Sequence, residues 1–276
     1  KSYPEMPAVA GSTPVPAVSP LQVNRLKDNA LNIDFCDVSV NGKTTKNVYF
    51  AQAADIVFRE YGFANGNPWN ASVQYKRNIL DRDTFKNGGF TATYRFTVND
   101  KFDYSNMKLV SERPELFTVK INGEQVKPIP GEWWLDRSFG VYAIGKQVKT
   151  GLNTVELSVS PMSIFAEIEP VYVLGDFAVV PEKLGWSISA PVENLTLGSW
   201  KEQKQPFYSW GVSYSKDFEV ESLSTPYAVQ LNDWKGTIAE VYVNDQKAGI
   251  IAYDPYRLDV TSYLKEGKNK IDVRVI

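Results

Sequence analysis

One phrase occurs twice in this chain, and its recurrence limits what the chain can fold into. At 149–159 the sequence reads Lys149-Thr150-Gly151-Leu152-Asn153, then Val155, Leu157 and Val159 alternating with Thr154, Glu156 and Ser158. At 265–275 it reads Lys265-Glu266-Gly267-Lys268-Asn269, then Ile271, Val273 and Val275 alternating with Lys270, Asp272 and Arg274. Such alternation marks a half-buried strand, and the glycine-containing step before it supplies a tight polar connection. The match extends backwards: 90–98 pairs with 212–220, and Val119-Lys120-Ile121-Asn122-Gly123 pairs with Val241-Tyr242-Val243-Asn244-Asp245. Val98 and Val220 lie 122 residues apart, as do Asn122 and Asn244, whereas Gly151 and Gly267 lie 116 apart. The first copy therefore carries six extra residues between its Asn-Gly turn and its closing strand, the region of Trp133-Trp134-Leu135-Asp136-Arg137. Insertions in a repeat map to loops, and loops carry function. The shared offset predicts that Ile121 and Val243 are equivalent and both face inward, because a one-residue slip would invert every side chain.

Composition removes several classes of function. Histidine is absent, which excludes Ser-His-Asp and Cys-His catalysis and His-ligated zinc, and leaves carboxylates, Lys and Tyr for any enzyme. The formal net charge is −2 with both signs interspersed, so no basic stripe for nucleic acid is present, and no apolar run is long enough to span a bilayer. The single Cys36 rules out an intramolecular disulfide. In Leu31-Asn32-Ile33-Asp34-Phe35-Cys36 its parity sets it opposite the apolar residues, as a quiet, partly covered thiol. The chain starts at Lys1 without a signal-like segment, and the expectation is a processed or excised piece of something longer; at Ile276 either the last strand is the chain end or the parent protein continues.

In order, 1–21 is a Pro-rich arm, 22–182 a first β-sandwich and 183–276 a second, joined near 181–190. The first begins with a strand over 29–40 that runs into the Asn41-Gly42 hairpin turn and returns at 47–50. A helix is predicted over 52–61, with Ile56, Val57 and Tyr61 on one face and Gly62 as its stop. Residues 62–89 form a long structured loop holding Asn67-Pro68-Trp69-Asn70, and loops of that length are functional more often than idle. Trp200, Phe207, Tyr208 and Trp210 open the second unit and are expected to form an aromatic seam against the first. Short strands at regular spacing with almost no other helix predict an all-β fold: two tandem antiparallel β-sandwiches of jelly-roll, galactose-binding-like form, with one short helix in the first.

The second copy resembles the sugar-binding jelly-roll domain of glycoside hydrolase family two. Pro255, Tyr256, Asp259, Thr261, Leu264, Lys265, Gly267 and Asn269 fill that family's Pro-Tyr, Asp-x-Thr and Leu-Lys-x-Gly-x-Asn positions. The first copy departs from it, with Ala143 where the second has Asp259. The region from Asn29 to Ile276 also looks like the accessory sandwich region of large Bacteroidetes-type glycosidases, through Phe139-Gly140, the stretch 167–177 and the stretch 197–203. The resemblance implies a secreted or periplasmic bacterial polysaccharide-degrading enzyme whose catalytic domain lies outside this chain. Its partners would be carbohydrate or that catalytic domain. No nucleic acid, membrane insertion or cofactor is implied, and a monomer is expected.

Candidate site residues are few. A pyranose site needs an aromatic platform and charged groups beside it, and Trp133 or Trp134 with Asp136 and Arg137 supplies both, with Trp69 as a second wall. Core and interdomain packing is the default use of such tryptophans. Glu167 and Glu169, two apart, could pass for a catalytic carboxylate pair or hold a structural Ca²⁺, although most such pairs are solvated edge charges. The expectation is a chain with no catalytic residue and no metal ligand of its own. A self-contained carboxylate-dependent glycosidase or lyase is the alternative.

Overall fold

The computed structural model describes residues 12–85, 87–183 and 185–276, so the first eleven residues of the expected arm lie outside the described residues. The fold is all-β, as the alternation predicts, and divides into two units whose segments alternate along the chain. One comprises 28–193 with 198–208; the other comprises the described part of the chain up to 27, with 194–197 and 209–276.

The first unit is a sandwich. Its larger sheet centres on Phe90–Val98, which pairs antiparallel with Gly151–Val159; that strand pairs in turn with Thr118–Ile121 and its hairpin partner Glu124–Val126. Phe35–Val40 and Lys43–Tyr49 extend the same sheet, as do Trp186–Ser189, joined in parallel, and Ala178–Pro181. The facing sheet runs Asn29–Ile33, Val171–Gly175, Lys108–Glu112, Asp136–Ala143, Trp133–Trp134. Between them Phe90, Ala92, Tyr94, Phe96 and Val98 meet Leu31, Leu109, Tyr142 and Val173 in one apolar core.

The smaller sheet is buried on both faces. Ala30, Val110, Val141 and Leu174 form a second cluster on its outer side, covered by Trp134, Phe139, Tyr172 and Phe207. Phe207 also meets Trp186, so residues 198–208, expected to open the second sandwich, pack with the first unit.

The predicted helix is Phe50–Glu60, two residues earlier than expected, and buries Ala53, Ala54, Val57 and Phe58. The predicted strand over 29–40 is two strands in different sheets, broken at Asp34. The break shifts the parity: Leu31 and Ile33 face the core, then Cys36, Val38 and Val40 do, and Phe35 is left exposed. Cys36 is therefore fully buried rather than partly covered, and burial pushes its thiol up to about 12, where it is an inert hydrophobe.

In the second unit Gln22–Arg25, Val212–Val220, Gly267–Val275, Ala239–Val243 and Gln246–Ile251 form one sheet in that order. A two-stranded ribbon, Ala228–Gln230 with Arg257–Asp259, closes over it. Val229 and Leu258 of the ribbon, and Leu264 beyond it, meet Val220, Val241, Val243 and Val273.

Ile121 and Val243 are both completely buried, each beside the closing strand of its own sheet. The repeated phrase builds the same polar clamp twice. Asn153 Nδ2 donates to the carbonyls of Lys149 and Gly151 at 2.7 and 3.0 Å, and its Oδ1 accepts from Lys149 N–H and Asn122 Nδ2 at 2.9 Å each. Asn269 does the same with Lys265, Gly267 and Asn244 at 2.7–3.0 Å. Gly151 and Gly267 take φ of +90° and +86°, which explains why glycine stands at both. Asn122 and Asn244 also hold the closing strand, accepting from Thr154 N–H at 3.0 Å and Lys270 N–H at 3.1 Å. The Asp-x-Thr step has its own cause: Asp259 Oδ1 accepts from Thr261 N–H at 2.9 Å, and Thr261 Oγ1 from Tyr227 N–H at 2.7 Å.

Replacing Asn153 or Asn269 by Ala should cost on the order of 3 kcal/mol, since each substitution orphans buried donors and acceptors. Asn→Asp at either position should cost as much, because it turns a donor into a charge facing two carbonyls. Denaturant titration of the four variants would check this; variants as stable as the parent would show that the clamp is incidental.

Candidate functional site

Three pieces of the first unit that are not part of the repeated pattern converge at one end of the smaller sheet. The first is the 62–89 loop, anchored to the helix through Asp55. Asp55 Oδ1 accepts from Asn67 N–H at 2.8 Å, and a Cβ on Gly66 would lie 2.2 Å from that same oxygen. Asn67 Oδ1 then accepts from Trp69 N–H at 3.0 Å, and Trp69 Nε1 donates to the carbonyl of Ile164 at 2.7 Å. The second piece is the segment 161–170, where Met162, Ile164, Ala166 and Ile168 face the core and Phe165, Glu167 and Glu169 face the loop side. The third is the end of Lys108–Glu112, where Arg113 takes φ +50° and donates its backbone N–H to the carbonyl of Ser138 at 2.8 Å.

Together they enclose a cleft of about 190 Å³ lined by Trp69, Glu112, Arg113, Phe165, Glu167 and Glu169. Trp69 and Phe165 stack with centroids 5.6 Å apart and planes 23° from parallel, and the Arg113 guanidinium lies 5.2 Å from the Phe165 ring. Glu167 Oε2 accepts from Asn67 Nδ2 at 2.5 Å, which ties the loop to the segment.

Burial raises all three carboxylates, and neighbouring charge adds to it at Glu112 and Glu169. Burial, then Glu112 and Glu167, push Glu169 up to about 7. Glu112 is raised by burial and by Glu167, against the opposing effect of Arg113. Glu167 is raised by burial, with Asn67 and Arg113 acting the other way. The cleft therefore joins an aromatic wall to three acceptor groups, one of which, Glu169, changes charge near neutrality. Among the described residues no group of three or more His, Cys, Asp or Glu is placed to hold a metal ion.

The residues predicted from sequence divide. Trp69 is in the cleft. Trp134 packs its ring 5.0 Å from Tyr172 on the outer face of the sheet, whereas Trp133 is 53% exposed on the edge strand. Asp136 is close enough to raise Glu112, but its Oδ1 already accepts from the backbone N–H and the hydroxyl of Ser138, both at 2.8 Å. Those bonds hold its carboxyl below the usual range. Arg137 is exposed on the same strand.

Glu112, Arg113 and Phe165 had no sequence signal, being single residues at the ends of short elements. Glu167 and Glu169 did have one, the Glu-Ile-Glu spacing. Half-burial beside Ala166 and Ile168 distinguishes them from solvated edge charges.

The fold and this cleft define an all-β protein of two sheet-based units with an aromatic and acidic recess in the first. No family model matches the chain. A "Putative beta-glucuronidase" of Formosa agariphila is 30% identical over 104 residues, covering 33% of this chain and 9% of the relative. Among solved structures, the β-D-mannosidase of Dictyoglomus thermophilum aligns over 92% of this chain and 31% of its own, at 13% identity and TM-score 0.33. The β-D-glucuronidase of the same organism aligns over 91% and 38%, at 12% identity and TM-score 0.36. The chain spans under a tenth of the curated relative's length and roughly a third of these structures.

Glu169 gives the cleft a pH signature. Its proton is held to about 7 in the fold against 4.5 for the free group, so the stabilisation is complete below 4.5 and is lost as pH rises through 7. Allowing for the side chain's remaining contact with water, the loss should be about 1–2 kcal/mol. Glu169→Gln should melt higher than the parent at alkaline pH and flatten the pH dependence of Tm; parallel profiles for the two proteins would contradict this.

Proposed function

We propose that this chain is a non-catalytic accessory β-sandwich region of a secreted or periplasmic bacterial glycoside hydrolase acting on polysaccharide, and that its first unit holds saccharide. The observation that carries the reading is the stacked Trp69–Phe165 pair set beside Glu112, Arg113, Glu167 and Glu169 in one cleft. An aromatic face covers the C–H side of a pyranose, and carboxylates with a guanidinium bond its hydroxyls in pairs. Trp133 on the neighbouring edge strand, with Trp134, Asp136 and Arg137, extends the surface a longer oligosaccharide would meet. The similarity to a β-glucuronidase-named relative supports the enzyme class of the parent. The partners on this reading are carbohydrate and the parent's catalytic domain.

One platform of this kind gives weak binding, with Kd on the order of a millimolar. Titration with neutral oligosaccharides should show that affinity, with Trp69→Ala abolishing it and Trp133→Ala reducing it. Binding that survives Trp69→Ala would place the site elsewhere, and binding to no glycan would leave a purely structural role.

A second reading, that the chain is itself a glycosidase, is favoured by one observation: a carboxyl held protonated to about 7 beside two others is the pattern of an acid and its partner. Aryl-glycosides decide between the two. We expect no turnover; hydrolysis lost in Glu169→Gln would replace the first reading with the second.

A further inference from the structure

The 62–89 loop forms a second cleft, of about 470 Å³, lined in part by Asn67, whose amide bonds Glu167 of the first. Its character is opposite. The amides of Asn65, Asn70 and Asn78, the Tyr75 ring and Arg82 line it over an apolar floor that includes Ile79, and none of its lining residues is acidic. The acids near it in the chain have partners of their own. Asp81 pairs with Lys76 at 3.3 Å, and Asp83 accepts from Ile164 N–H at 3.2 Å. Asp55 accepts from Asn67 N–H and from Arg59.

Arg82 is fixed in place: its guanidinium sits 3.8 Å over the Phe63 ring, and Nη2 donates to the carbonyl of Gly62 at 2.8 Å. That leaves most of its five donors for another acceptor. Tyr75 is 54% exposed, with Arg77 5.4 Å from its ring, so an aromatic face and a second cation stand at the rim.

We infer that this cleft binds the anionic residue of a saccharide, a carboxylate or sulfate ester, with Arg82 pairing the acid group, the asparagine amides bonding hydroxyls and Tyr75 covering the ring. A cleft of this volume has the size of a small-ligand site. The first cleft, with three carboxylates against one guanidinium, repels anions, so the two recesses, linked through Asn67, suit residues of unlike charge in one polysaccharide. The inference rests on the carbohydrate-binding reading above.

The test titrates the 276-residue chain with three probes of equal length: a uronate oligosaccharide, its carboxyl-reduced counterpart, and a sulfated neutral oligosaccharide. One or both anionic probes should bind about tenfold or more tighter than the reduced one, the worth of a charge-assisted bond. Which of them does so identifies the acid group. The preference should shrink as salt is added. Arg82→Gln should erase it, while Tyr75→Ala, at an exposed position, should weaken all binding at this cleft. Trp69→Ala should leave the preference intact. Because Arg82 also braces Gly62, Asn78→Ala serves as a second, exposed variant that should weaken the anionic probes. Equal affinity for all three probes with Trp69-dependent binding would overturn this inference and leave the proposed function standing. A preference untouched by Arg82→Gln, Asn78→Ala and Tyr75→Ala would also overturn it. Binding to none of the probes would sink both.

Discussion

Both units depend on one buried amide. A closing strand that must leave a turn, enter the middle of a sheet and keep its register needs its first backbone groups satisfied away from water. A single asparagine does this by bonding two carbonyls behind it, one N–H beside it and one amide on the adjacent hairpin. Asn153 and Asn269 have the same bonds to within about 0.1 Å. With the register fixed there, Ile121 and Val243 have to face inward, and each core assembles on the same parity.

The repeat was legible because it is periodic, and so were the Asn41-Gly42 hairpin, the helix and the all-β class. Errors arose where one residue breaks a period. Asp34 ends one strand and starts another in a different sheet, and the parity of Cys36 inverts across it. Lys108–Glu112 shows no clean alternation because both faces of its sheet are buried: Leu109 lies in one core and Val110 in the other. Alternation reports a sheet with one wet face, so a strand covered on both sides is hidden from it.

The site was legible only in part, for a related reason. Trp69 and the Glu167-Glu169 spacing were visible as unusual residues, yet neither pattern states what lies opposite. Glu112 and Arg113 come from a strand end more than fifty residues from Glu167, and only the fold of the 161–170 segment brings them together. The insertion that drew attention, Trp133 to Arg137, became a strand addition to the sheet edge, with Asp136 spent on its own turn. Extra length in a repeat marks where a loop lies without stating whether its polar groups are free.

The acidic cleft persists at a cost that packing elsewhere has to offset. Three half-buried carboxylates with one guanidinium among them destabilise the fold whenever all are ionised, and the shift of Glu169 to about 7 expresses first its burial and then the charges of Glu112 and Glu167. The loop is held against this strain by an amide-to-carboxylate bond from Asn67 to Glu167, by Trp69 to Ile164, and by the Trp69–Phe165 stack. Purely structural anchoring would be served as well by apolar residues at these positions, since a well-packed hydrophobic contact matches a buried ionic one at lower cost. Three acids beside an aromatic wall thus cost more than packing requires, and this is the physical ground on which the proposed saccharide site is put at Trp69 in preference to the insertion alone.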